Sequence, residues 1–225
     1  MTLYRGLKFS CRENRRVVTL KINHGKSEVF NGHGTQCCVD FLRGGTGDGF
    51  VEENVEFARK QIKNIKWNHD VGFMIYCSFG NGLRLTGDPE YKEVIVEAAR
   101  SLSTRFRPVA GIIQSWDVDR GWISERGWEC PVIIDNMMNL ELLFAATRLS
   151  GDSTFYKVAV SHVDRTMKEQ YRPDGSCYHV VDYSMKDGSV RNRHTTQGYA
   201  HESAWSRRQA WGIYGLMLCY RETSC

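Results

Sequence analysis

The chain has 225 residues, 41% of them hydrophobic, 12% aromatic and 25% charged, with only four prolines. That composition supports a folded core and excludes a largely disordered chain, and no stretch approaches the roughly 20 apolar residues of a membrane-crossing helix. The formal charge of +4 sits in residues 1–50, with eight Lys/Arg against four acids; residues 51–225 carry 22 of each, so the body lacks the basic stripe of a nucleic-acid binder.

In chain order, residues 1–50 form an atypical basic N-terminal segment of unassigned fold. Its run Gly44-Gly45-Thr46-Gly47-Asp48-Gly49 lacks the spacing and the lysine of a phosphate loop and reads as a linker. Residues 51–225 form a second unit built of paired helices. Val51, Val55, Ala58, Ile62 and Ile65 recur every three to four positions and predict an amphipathic helix over 51–66. Residues 70–85 are apolar on nearly every side, which predicts a buried helix. Asp88-Pro89 then supplies an N-cap and a first-turn proline for an amphipathic helix over 89–106, striped by Val94, Ile95, Ala98, Ala99, Leu102 and Phe106.

The pattern is then repeated. A second buried helix is predicted over 133–149, a Ser150-Gly151-Asp152 turn matches Thr86-Gly87-Asp88, and an amphipathic helix follows over 154–171. A third buried-type helix begins at Ser203 and runs to about residue 221. A repeat of buried helix, Gly-Asp turn and amphipathic helix must stack on copies of itself to hide its apolar faces. The predicted fold is all-α, an array of inner and outer helices curved into a toroid. The Gly-Asp turns are short, whereas the return connections at 107–132 and 172–202 are long and rich in Trp, Tyr, His and Arg, and they feed the starts of the inner helices. Long ordered loops at one end of a scaffold are where function concentrates.

Two carboxylates occupy equivalent places there, Asp70 and Asp135, each at the start of an inner helix beneath an aromatic loop. Each on its own reads as an N-cap; together, on neighbouring helices, they read as a pair sharing acid and base roles. Trp116, Trp122 and Trp128 in one loop, and Tyr178, Tyr183, Tyr199, Trp205 and Trp211 around the other, suit stacking against sugar rings. Arg207 and Arg208 are candidates to pair with a substrate carboxylate. The eight cysteines are scattered with no C-x-x-C pair, and His24, His33, His194 and His201 lack a ligand set, so no metal or other cofactor is expected. Scattered thiols and the lack of an apolar leader read as a cytoplasmic protein, or a periplasmic one should a leader precede residue 1.

Three motifs in order, Asn68-His69-Asp70-Val71-Gly72-Phe73-Met74, Ile133-Ile134-Asp135-Asn136-Met137-Met138-Asn139-Leu140, and Gln197-Gly198-Tyr199 followed by Ser203-Ala204-Trp205-Ser206-Arg207-Arg208-Gln209-Ala210-Trp211-Gly212, resemble the unsaturated glucuronyl hydrolases of glycoside hydrolase family 88. The resemblance covers about residues 51–222. It implies an (α/α)6 barrel, of which about half is present here. It also implies hydration of the C4=C5 double bond of a terminal unsaturated uronic acid, after which the hemiketal opens and frees the neighbouring sugar. By match to the motifs, Asp135 protonates C4 and then serves as base toward the water that adds at C5, with Asp70 as its partner. His69, Trp116, His179, Gln197, Arg207 and Trp211 match substrate-binding positions. The implied partner is an unsaturated uronic-acid disaccharide or oligosaccharide derived from glycosaminoglycans, and the open half-barrel faces imply self-association. The related rhamnogalacturonyl hydrolases, acting on pectin fragments, and a sugar-binding remnant without turnover are the alternative readings.

Overall fold

The computed structural model describes residues 10–12, 15–17, 62, 69–119 and 121–224. The predicted helix over 51–66, apart from Ile62, and most of the basic segment 1–50 lie outside the described residues. Within that segment, β1 (Ser10–Arg12) and β2 (Arg15–Val17) pair antiparallel, Ser10 opposite Val17.

The inner and outer helices alternate as the repeat predicts. The first inner helix comprises α1 (Val71–Ile75), a π-helical turn (Tyr76–Gly80) and α2 (Asn81–Thr86). The outer α3 (Pro89–Ser103) packs against it through Tyr91, Val94, Ile95, Ala98, Ala99 and Leu102. The second inner element starts as a 3-10 helix (Ile134–Asn139) and continues as α4 (Leu140–Ser150), followed by the outer α5 (Ser153–Glu169). The last inner helix, α6 (Ser206–Thr223), lies across that 3-10 segment and α4.

The two Gly-Asp turns are superimposable in chemistry. Gly87 and Gly151 adopt φ of +73° and +76° and close the preceding helices by N–H donation to Leu83 and Thr147 carbonyls, each at 2.8 Å. A Cβ at either would meet nothing within 4 Å, so the left-handed backbone, not space, selects glycine. Asp88 and Asp152 then cap the outer helices, accepting from the Glu90 and Thr154 amides at 2.9 and 2.8 Å. Such caps contribute about 1 kcal/mol each.

Three features depart from the sequence reading. The return connections contain short strands: β3 (Phe106–Arg107) pairs with β4 (Ile112–Ile113), and β5 (Pro131–Ile133), β6 (Val180–Tyr183) and β7 (Val190–His194) form an antiparallel sheet in that order. Phe106 thus belongs to a strand, because α3 ends at Ser103. The residues 133–139 assigned to a helix are strand and 3-10 turn, drawn into the sheet by the Val132–Val181 pairing. Finally, α6 is buried along one face only. Arg208, Gly212, Gly215, Leu218 and Cys219 point inward, while Ile213, Tyr214, Met217 and Tyr220 are exposed.

Glycines set how closely the inner helices approach. A Cβ on Gly72 would stand 2.6 Å from the Cα of Asn139, and one on Gly215 would stand 2.4 Å from the Cβ of Met137. Both neighbours belong to the 3-10 segment, which is therefore clasped between α1 and α6. Gly72→Ala is expected to destabilise by about 1–3 kcal/mol through overpacking, whereas Gly87→Ala costs only the backbone strain, about 1 kcal/mol. Chemical denaturation of the two variants checks the ranking; equal costs would contradict the close approach.

Candidate active site

The heads of the first two inner helices are fixed by a buried polar network centred on Ser115. Its Oγ accepts from the Ile133 amide at 2.9 Å and from the Asn136 amide group at 3.1 Å, and its own amide donates to the Pro131 carbonyl at 2.9 Å. Asn136 also donates to the Ile113 carbonyl at 2.6 Å, and Asn139 donates to Asn136 Oδ1 at 3.1 Å. The Phe73 amide in turn donates to Asn139 Oδ1 at 3.1 Å, so α1 and the 3-10 segment are joined by side chains as well as by contact. Ser115, Asn136 and Asn139 are fully buried, where an unmet polar group is costly.

The Ser115 carbonyl sets the proton position on His69. Nδ1 of His69 lies 3.0 Å from that oxygen, which only accepts, so Nδ1 carries hydrogen. Nε2 faces Asp70 Oδ1 at 3.0 Å. With Nδ1 protonated and the ring neutral, Nε2 is a bare, buried nitrogen without a hydrogen-bond donor, set beside the Asp70 carboxyl group. Burial pulls the His69 pKa below its usual value, with Asp70 opposing and Arg105 reinforcing that effect. Asp70 is the N-cap residue of α1 by position, but its side chain makes no capping hydrogen bond. The carboxyl group is turned to His69 and is 37% exposed, open to a ligand.

Asp135 sits in the first turn of the 3-10 segment and forms an ion pair with NH1 of Arg208 through Oδ2. Its Oδ1 is buried with no hydrogen-bond partner. Arg208 is 3% exposed, donates through NH2 to Gln197 Oε1, and lies over the rings of Trp205 and Trp211 at 4.6 and 5.0 Å. Burial lowers its pKa to about 10, with Asp70 acting in the opposite sense. The two carboxylates singled out in the sequence are thus joined electrostatically through one buried guanidinium.

The other predicted residues gather around this centre. His179 accepts from the Thr196 amide at Nδ1, 3.1 Å, so its proton is on Nε2, which is buried without a partner. Burial and the nearby Arg207 lower its pKa to about 4, and the ring stands edge-on to Trp205 at 5.9 Å. Trp116 is edge-on to His69 at 6.1 Å and stacks with Trp128 at 6.3 Å, with Trp122 edge-on at 5.4 Å and half exposed. Trp211 is edge-on to Phe73 of α1 at 6.5 Å. Gln197 is exposed except for its bond to Arg208. Arg207 is exposed and covers Trp205 and Trp211 at 4.4 and 5.5 Å, so it holds the rim while Arg208 holds the interior. Arg208, Gly212, Gly215 and Cys219 recur at the spacing of one helix face, and that periodicity distinguishes Arg208 from its neighbour. Ser115, Asn136 and Asn139 carried no motif signal of their own. Among the described residues no cluster of three or more His, Cys, Asp or Glu side chains suits a metal, and no helix is long and apolar enough to cross a membrane.

The α/α array thus brings Asp70, Asp135 and Arg208 together at the heads of its inner helices, beneath aromatic side chains. No family model matches the chain. Over 183 residues it is 48% identical to an unsaturated glucuronyl hydrolase of Formosa agariphila, covering 80% of this chain and 44% of that protein. It is 36% identical over 157 residues to an unsaturated chondroitin disaccharide hydrolase of Streptococcus agalactiae, covering 69% of this chain and 38% of that protein. Among solved structures, an unsaturated glucuronyl hydrolase specific for heparin aligns over all of this chain and 58% of its own, with a TM-score of 0.74 and 35% identity. The S. agalactiae unsaturated glucuronyl hydrolase aligns at a TM-score of 0.73 and 29% identity, over 91% of this chain and 51% of its own. The chain belongs to the unsaturated glucuronyl hydrolase family, and it spans about half the length of these relatives.

Two buried imidazoles make stability sensitive to acid. His162, whose Nδ1 accepts from the Ile113 amide at 3.0 Å, has its pKa pushed down to about 3 by burial, beside the value of about 4 for His179. Unfolding restores both toward 6.5, so the unfolded chain binds more protons below that pH. Stability is therefore full above about pH 6.5 and falls as pH drops toward 4, approaching about 1.4 kcal/mol per pH unit for each ring. Denaturation midpoints measured from pH 7 to 4.5 should show this fall, and His162→Gln should make it shallower; an unchanged slope would contradict the neutral, buried assignment.

Proposed function

We propose that the chain carries the catalytic half of an unsaturated glucuronyl hydrolase acting on glycosaminoglycan-derived disaccharides. The observation that carries this reading is the convergence of Asp70 and Asp135 on one buried cation, Arg208, beneath the Trp116 and Trp205 walls. The relatives named for unsaturated chondroitin and heparin fragments support that substrate class over pectin fragments.

In this reading the ring of the unsaturated uronic acid lies against the aromatic wall, where apolar faces exclude water from the enol ether. Asp135, in its protonated form, delivers hydrogen to C4, and positive charge develops at C5 and the ring oxygen. The resulting carboxylate then takes a proton from the water that attacks C5, so the proton is returned to Asp135. The hemiketal so formed opens to a ketone and releases the adjoining sugar. Asp70, kept in register by His69, contacts the sugar hydroxyls and steadies the charge that moves through Asp135. The unpartnered Nε2–H of His179 is a donor ready for a substrate oxygen.

Loss of the C4=C5 ultraviolet absorbance of an unsaturated chondroitin or heparin disaccharide tests the activity directly. Asp135→Asn and Asp70→Asn should each lower kcat/KM by roughly 10²–10⁴-fold with unchanged circular dichroism. Full turnover by Asp135→Asn would overturn the assignment of roles. Binding without turnover by the unaltered chain would instead mark a sugar-binding remnant.

A further inference from the structure

Asp135 and His179 are held in place differently. Asp135 has a brace beside it, because Asn136 is tied to the Ile113 carbonyl and to Ser115 Oγ. His179 stands just ahead of β6, outside the strand pairing, which ends with Val180 opposite Ile133. Its ring accepts from the Thr196 amide, and its carbonyl accepts from the Ile134 amide at 3.1 Å.

A second donor reaches that carbonyl from the outer layer. Gln170 is the C-cap residue of α5, its amide donating to the Thr166 carbonyl at 2.9 Å. The chain leaves the helix there, closes through the Tyr171–Cys177 bridge, and returns so that the Tyr178 amide donates to the Gln170 carbonyl at 2.8 Å. His179 is thus delivered beside the residue from which the connection started. The Gln170 side chain is fully buried, with Nε2 at 3.2 Å from the His179 carbonyl, 3.3 Å from that of Val132 and 3.4 Å from that of Tyr178. Carbonyl oxygens only accept, so the nitrogen end of the carboxamide faces them. Its two hydrogens are shared between the segment that leads into Asp135 and the segment that carries His179.

This amide is poorly placed for its own sake. Its three contacts are longer than the usual value of about 2.9–3.0 Å, and Oε1 is buried with no hydrogen-bond partner. A buried carboxamide with one end unmet costs stability, and such local violations are expected where function requires them. His162, about two turns earlier on the same face of α5, accepts from the Ile113 amide and holds β4 instead.

We propose that Gln170 is a positioning residue for the reaction: by gripping the carbonyls of His179 and Val132 together, its carboxamide fixes where the Nε2–H of His179 points relative to Asp135. This role rests on the hydration reading above and deepens it with a residue of the outer layer. Being fully buried, Gln170 acts through His179 and not on the sugar itself.

The test is a double-mutant cycle read on the ultraviolet hydration of an unsaturated chondroitin disaccharide. Gln170→Met, close in shape but without the donor, should lower kcat/KM about tenfold in the unaltered chain. The loss should be under about twofold where His179→Ala has already removed the ring. Equal losses in the two backgrounds mark a merely structural residue and overturn the proposal, as does full turnover by Gln170→Met. Nitrogen-15 resonance of the imidazoles reads the same question without turnover. In the unaltered chain His179 and His162 each show a single Nε2–H tautomer. In Gln170→Met the His179 signals should shift or average while those of His162 stay in place; both moving together, or neither moving, would overturn the proposal. Gln170→Asn, one methylene shorter, draws the amide back from the carbonyls and is read in the same way should Gln170→Met fail to fold. An unaltered chain without turnover rejects the activity and leaves the resonance signals to decide the positioning role, whereas turnover with equal losses rejects the positioning role and leaves the activity standing.

Discussion

Everything in the site depends on the Ser115 carbonyl holding a hydrogen on Nδ1 of His69. A carbonyl oxygen has no proton to offer, so this contact decides the state of the far side of the ring. Burial keeps the ring neutral, so Nε2 stands bare beside the Asp70 carboxyl group. Arg208 is paired with Asp135 and also feels the charge of Asp70. One hydrogen bond 3.0 Å long thus fixes the tautomer of His69 and the nitrogen that faces Asp70.

The same residue also fixes geometry. Ser115 Oγ receives Asn136 and the Ile133 amide, and Asn139 carries the link on to Phe73 of α1. The glycine contacts at Gly72 and Gly215 press α1 and α6 onto the 3-10 segment from opposite sides. A fully satisfied buried network combined with close backbone approach leaves little room for the carboxylates to drift. That rigidity is what a proton-transfer site needs, since small misplacements cost rate steeply.

Much of the scaffold was legible in the chain. The Thr86-Gly87-Asp88 and Ser150-Gly151-Asp152 turns announced the repeat because left-handed glycines and aspartate caps are local chemistry, decided within a few residues. The matched positions of Asp70 and Asp135 followed from that repeat. The strands at 131–133 and 180–183 were hidden because their pairing joins residues about 50 apart and overrides the helical pattern of 133–139. Arg208 was harder to separate from Arg207, since two adjacent arginines look alike until Gly212, Gly215 and Cys219 show which one shares their face. Ser115 had no signal: its role is set by main-chain atoms that come together only in the fold.

The direct measurement is nitrogen-15 nuclear magnetic resonance of the histidine side chains, with the His69 signals assigned by their loss in His69→Gln. The contact with the Ser115 carbonyl predicts that Nδ1 of His69 carries the hydrogen near pH 7 and that Nε2 shows the shift of a bare imidazole nitrogen. A neutral ring protonated at Nε2 alone, with a bare Nδ1, would contradict it.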